Sequence, residues 1–193
     1  MQTAQVILTP FQKQRVGRLG MENLGVALAY AGLAYLAFLF FHGLGVMPMP
    51  VWPSAALAII VAFYRGWFIA LGLALGTILA NYCILGASLP YALCIALMNT
   101  LGPLAGGYLL RRQVSAQLKI KGVGDLLVFF FAVVLLPPAM TAAGGIGSKW
   151  LLGLIPADEL FFGWLKWAIA HCLGTLLFAT PVFAWQAFKE LDK

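Results

Sequence analysis

The sequence predicts an all-α fold: a polytopic membrane bundle of about six transmembrane helices with broken or re-entrant outer segments. Three observations carry this. Of 193 residues 63% are apolar and 9% charged, and the mean hydropathy is +0.95, which excludes the surface of an ordinary soluble domain. The apolar residues fall into six runs, 24–44, 52–64, 67–85, 91–110, 126–147 and 160–185. When those runs are alternated across a bilayer, the basic residues collect on one side.

The run 24–44 follows Lys13, Arg15 and Arg18, a pattern that superficially copies a signal peptide. It is too long for a signal core and no small-residue cleavage site follows it, so it reads as a retained first span. The second run lies in "VWPSAALAIIVAFYRG" and is short: from Trp52 to Arg65 a helix reaches about 20 Å, against a hydrocarbon core of about 30 Å. The outer links are expected to dip inward to fill the difference. Pro53 suits the first turn of a helix that starts below the membrane surface, with 43–51 covering it. Trp52 then either anchors the interface or roofs a pocket.

The third run carries Gly72 and Gly76, continued by Ala80; the fourth repeats the spacing with Gly102 and Gly106, and the first does so more weakly with Ala27 and Ala31. Small residues four apart let helices approach closely. Packing within the chain is the first reading, and a homodimer through one such face the second. In the fifth run Pro137 and Pro138 remove two backbone donors mid-span, which predicts a kink or break.

An inside N-terminus places Lys13, Arg15, Arg18, Arg65, Arg111, Arg112, Lys119, Lys121, Lys189 and Lys193 on the cytoplasmic side, leaving only Lys149 and Lys166 near the other face. Both termini are then cytoplasmic, and Ser88 and Asp158 lie outside. The expected division is a basic cytoplasmic segment over 1–23, an integral membrane domain over 24–186 and a cytoplasmic tail over 187–193. The net charge of +6 is thereby a topology signal and a match to membrane lipid, not a nucleic-acid surface. The loop "RRQVSAQLKIKGVG" suits the anionic inner leaflet or a partner. The links "GLGVMPMPV", "GASLP" and "GGIGSKWLLGLIPADE" are rich in Gly and Pro and poor in charge, as expected of structure lying within the membrane.

Polar residues at membrane depth need a partner or a cavity. They are Asn81, Asn99, Thr100, Lys166 and His171, and no Asp or Glu lies deep in any span. That argues against a proton pump built on carboxylates. Asn81 and Asn99 are either interhelical hydrogen bonds or ligand contacts. His171 shares a helical face with Trp167 and Trp164, as a packed histidine under an aromatic belt or as a pocket wall. Lys166 is expected to snorkel to the outer interface near Asp158 and Glu159. Depth along the helices predicts that Trp52, Asn81, Asn99 and His171 converge on one cavity in the outer half of the bundle, suited to an amphipathic small molecule. A serine-protease pairing of Ser88 in "ILGAS" with His171 lacks the expected Gly, since Leu89 follows. Metal-ligand spacing is absent, as His42 and His171 are the only histidines. The three cysteines, Cys83, Cys94 and Cys172, are odd in number and lie in apolar segments, so buried thiols are expected and no disulfide framework. The sequence points to no enzyme and names no cofactor.

The stretches "VWPSAALAIIVAFYRG", "LANYCILG", "LMNTLGPLAGGYLLRR" and "WAIAHCLGTLLFATPVFAW", in this order, resemble the first family of bacterial membrane-associated sensor domains, over about residues 24–186. That family has a Trp-Pro opening a short helix, an Asn late in the next span, an Asn-Thr-Leu before paired Arg, and a closing Leu-Gly with Thr-Pro and Trp. The chain departs from the pattern at Gly102, where the family tends to have Glu, and at His171, where it tends to have Asp. The resemblance implies a multi-pass sensory module of the bacterial inner membrane that signals to a cytoplasmic kinase or cyclic di-GMP enzyme, fused or in trans; the chain ends at Lys193, so it is either excised from a larger protein or acts through a partner. Its size and span number are also similar to the substrate-binding subunit of an energy-coupling-factor vitamin transporter. There Cys83 or Cys94 would serve as a ligand to the cobalt of cobalamin if one faced the cavity.

Overall fold

In a computed structural model of the chain, residues 10–46, 49–114, 120 and 122–191 are described. Lys119 and Lys121 of the basic loop, and Lys193, lie outside them, as does the packing of the Lys13 and Lys189 side chains. Among the described residues eight α-helices follow in order: α1 Pro10–Gly43, α2 Pro53–Arg65, α3 Ala70–Ile78, α4 Leu89–Gln113, α5 Val123–Phe129, α6 Leu136–Leu151, α7 Leu160–Gly174 and α8 Thr180–Leu191. Wider π-helical turns, Leu79–Ile84, Phe130–Leu135 and Thr175–Ala179, continue α3 and join α5 to α6 and α7 to α8. No strand occurs among the described residues.

Five continuous helical stretches among the described residues are long and apolar enough to cross a membrane. The second of them, Pro53–Ile84, reverses on itself, so the bundle has six legs. Ser54 Oγ donates to the Tyr30 carbonyl at 2.9 Å, and a Cβ at Gly76 would lie 2.7 Å from Tyr30 Cβ. A straight helix would hold residues 54 and 76 about 33 Å apart. The reversal is made at Gly66, whose φ of 59° suits glycine alone among common residues, followed by a tight turn over Gly66–Ile69. Asn23 on α1 secures it: its Nδ2 donates to the carbonyls of Leu19 and Phe68 at 2.9 and 2.8 Å. Its Oδ1 accepts from Gly72 N–H at 2.6 Å, one of the donors that the first turn of α3 cannot satisfy for itself.

The small-residue faces are consumed inside the chain. Gly72 and Gly76 lie against Asn23, Ala27 and Tyr30 of α1, while Gly106 meets the Ala132 carbonyl and Gly102 the Pro137 carbonyl. A homodimer through these two glycine pairs is therefore closed off, because the close approach they permit is already made.

Pro137 and Pro138 do not break their span. The helix widens just ahead of them: Leu136 N–H reaches back five residues to the Phe131 carbonyl, a π turn that absorbs the missing donors without a gap. The Val134 carbonyl, left without an N–H four residues on at Pro138, accepts from the Cys172 thiol of α7 at 3.0 Å.

The ends of the legs sort by charge. Glu22 pairs with Arg18 at 3.1 Å and also with Arg65, and the Arg111 guanidinium lies beside Gly66. This is the basic end. The opposite end holds Lys149 against Tyr91. A core cluster of Ile59, Phe63, Leu110, Phe129, Val133 and Phe183 fills the half nearer the basic end, and Phe63 and Phe129 each meet the Phe183 ring edge-on. α2 occupies only that half.

Candidate functional site

Because α2 begins midway along the bundle, the half beyond its first residue is not filled by helix. A cavity of about 990 Å³ occupies it, lined from α1, the link before Trp52, the end of the third leg, α4, α6 and α7, with no residue of α2 itself. Trp52, Asn81, Asn99, Trp167 and His171 all line it. The sequence-derived candidates thus share one cavity, although they come from four segments of the chain.

The floor is built around Trp52, which is 7% exposed and lines the cavity. Its N–H donates to the Ala170 carbonyl at 3.0 Å, and its carbonyl rests in the space that a Cβ at Gly174 would take. Non-helical backbone at this depth survives only when its polar groups are satisfied in this way. The Trp52 indole stacks on the His171 ring with centroids 6.0 Å apart, and His171 stacks on Trp167 at 5.7 Å and 13°. His171 Nδ1 lies 3.2 Å from the Trp167 carbonyl. A carbonyl can only accept, so that contact is a hydrogen bond in the Nδ1–H tautomer, which leaves Nε2 an acceptor.

Tyr30 ties the floor together and is a residue that sequence reasoning missed. It is 1% exposed. Its hydroxyl accepts from Trp52 Nε1 at 3.3 Å and from Asn99 Nδ2 at 3.1 Å. The available signal was its position among Ala27, Ala31, Ala34 and Ala37, all buried. One large residue with a polar tip in a small-residue helix face marks where the neighbouring helices leave room.

Asn81 lies in a π turn, donates to the Thr77 carbonyl at 2.9 Å and is 6% exposed. Asn99 and His171 also border a smaller void of about 10 Å³, shared with Tyr30, Pro137, Thr141 and Thr175, so the cavity floor adjoins the proline segment. Several buried polar atoms here have no hydrogen-bond partner among the described residues: Asn99 Oδ1, Tyr91 OH, Trp167 Nε1 and His171 Nε2. Buried polar groups are ordinarily paired, and four such atoms on residues of one cavity mark a place built for something other than packing.

Lys166 is exposed and lines this cavity together with Lys149 and Glu159. Cys83 and Cys94 are exposed and Cys172 is half-buried. Neither Cys83 nor Cys94 borders the cavity, because both project from the outer faces of their helices. The geometric condition for a cysteine on cobalt is not met. Gly102, where the resemblance implied a Glu, is backed by the Pro137 carbonyl at 3.1 Å and Thr141 Cγ2 at 3.3 Å from a Cβ position, a close fit in which a side chain would require its neighbours to shift by a few tenths of an ångström. No group of three or more His, Cys, Asp or Glu that could hold a metal occurs among the described residues.

Comparison with known proteins gives one result. No curated protein and no solved structure matches the chain significantly. The family model MASE1 matches residues 21–189, which takes in part or all of every leg and all five residues gathered at the cavity; the chain belongs to the MASE1 family of membrane-associated sensor domains.

Proposed function

We propose that this membrane sensory domain reads the occupancy of the cavity above Trp52 and passes it to a cytoplasmic kinase or cyclic di-GMP enzyme, fused to it or in trans. The observation that carries the reading is the stacked floor of Trp52, His171 and Trp167. A small molecule seated there bears on α7, and α7 continues through a π turn into α8. Single π turns inside α-helices occur frequently at functional sites, and this one lies on the path from the cavity floor toward the basic end. In this reading residues 24–186 form the module, the flanks 1–23 and 187–193 are cytoplasmic, and the membrane is the bacterial inner membrane.

Native mass spectrometry of protein released from mild detergent tests it. A small-molecule mass retained by the wild type and lost in Asn99→Leu and His171→Phe, with the bundle still folded, is the expected result; co-purification of a kinase or cyclase would supply the output. A mass retained equally by both variants would remove the cavity from the argument.

A further inference from the structure

Two lysines on the cavity wall have no counter-charge in contact. Lys149, Lys166 and the single carboxylate Glu159 all line it. Among the described residues the ion pairs within 4.0 Å are those of Glu22 with Arg18 and Arg65, at the far basic end. The wall therefore carries two ammonium groups and one carboxylate, none bridged. Lys149 is half-buried and Lys166 exposed, so the wall presents unpaired positive charge at the cavity mouth, and an entering anion finds there two partners that no carboxylate occupies.

A neutral donor stands beside them. Tyr91 is 6% exposed and its hydroxyl has no hydrogen-bond partner among the described residues, while Lys149 Nζ sits 5.6 Å from the centre of its ring. An ammonium and an unpaired phenol O–H at one place both lack an acceptor, and an anionic oxygen is the acceptor that serves both. Part of the wall is hydrocarbon, from Phe38, Leu85, Ile146, Ile169 and Leu173, while the polar side chains Asn81, Asn99 and His171 also line the cavity. The volume of about 990 Å³ stands at the upper end of the ~300–1,000 Å³ range of small-molecule sites.

We infer that the cavity takes a small amphiphile bearing one anionic group, a carboxylate or a phosphate, with its head at Lys149, Lys166 and Tyr91 and its apolar body along Phe38, Leu85, Ile146, Ile169 and Leu173. The inference rests on the cavity being the ligand site and adds the chemical class. A cationic ligand is disfavoured by the two lysines, and a neutral one leaves them uncompensated.

The test uses the whole chain in phosphatidylcholine nanodiscs, with palmitate and the uncharged hexadecanol as probes and binding read by thermal shift. Palmitate is expected to bind at least tenfold tighter than hexadecanol. Lys149→Gln with Lys166→Gln should abolish that preference, the paired Arg substitutions should keep it, and Ala87→Trp, which intrudes from the cavity rim, should weaken both probes. Repeating the titration with phosphatidylglycerol in the nanodisc separates the sources of the anion: competition identifies a lipid head, and undiminished binding identifies a free amphiphile. Equal binding of the two probes, or a preference that survives the double Gln variant, overturns the anionic class while leaving the cavity as a ligand site. Binding unaffected by Ala87→Trp, or no binding of either probe, overturns the assignment to this cavity.

Discussion

The Cys172 thiol donates to the carbonyl of Val134 at 3.0 Å, on the helix where Pro138 has no N–H to offer that oxygen. A residue that reads as an inert buried thiol thus completes the backbone of another leg, beside the cavity floor. In a bilayer an unmade backbone hydrogen bond is costly because no water replaces the partner.

A double-mutant cycle follows from that pairing. Cys172→Ala should destabilise the protein by about 1–3 kcal/mol, the cost of a buried acceptor left unpaired, and Cys172→Ser should cost less because a hydroxyl still donates. Pro138→Leu restores an N–H, so Cys172→Ala should cost markedly less in that background. Thermal unfolding in nanodiscs measures the cycle; equal costs in both backgrounds would mean that the thiol acts by packing alone.

Gly174 has no room for a methyl group, since a Cβ there would overlap the Trp52 carbonyl. Gly174→Ala should cost about 1–3 kcal/mol through overpacking and push Trp52 off His171. Gly147, whose Cβ position is open, is the internal control, and Gly147→Ala should be neutral or stabilising by up to about 1 kcal/mol, as expected for a helical glycine. A Gly174→Ala protein with unchanged unfolding temperature would contradict the fitted floor.

Tyr30→Phe removes the oxygen shared by Trp52 Nε1 and Asn99 Nδ2. Two buried donors lose their acceptor at once, so the expected cost of about 1–3 kcal/mol should exceed that of Tyr35→Phe on the exposed face of α1. Retention of any co-purified small molecule should fall with it. Matching unfolding temperatures for the two variants would show that the hydroxyl does not organise the floor.

Orientation is open to a direct check. Membrane-impermeant thiol labelling of intact cells, in a background without the native cysteines, should modify Ser88→Cys and Asp158→Cys and spare Gln117→Cys in the basic loop, a position outside the described residues. The motive is the division of basic residues between the two sides. Labelling of Gln117→Cys alone would invert the topology.

Membrane residence, the six legs, the short second helix and the convergence of Trp52, Asn81, Asn99 and His171 on one cavity were legible in the sequence. The reason is that transfer to a bilayer is nearly a sum over residues, so hydropathy, charge placement and a Trp-Pro pair suffice to mark where spans begin, end and fall short. Asn81, Asn99 and His171 stood out because few polar side chains lie at that depth and each needs a partner. Tyr30 and Asn23 did not stand out, because what makes them matter is which other helices meet them: Tyr30 is an apolar aromatic until Trp52 and Asn99 donate to its oxygen, and Asn23 is a polar residue at a helix end until the α2–α3 turn folds over it. The partner of the Val134 carbonyl, which Pro138 leaves without an N–H, was also decided by tertiary contact, through Cys172 on a helix more than thirty residues away. Hydropathy is local and additive, whereas hydrogen-bond completion and close packing depend on pairs of residues that only the folded bundle brings together.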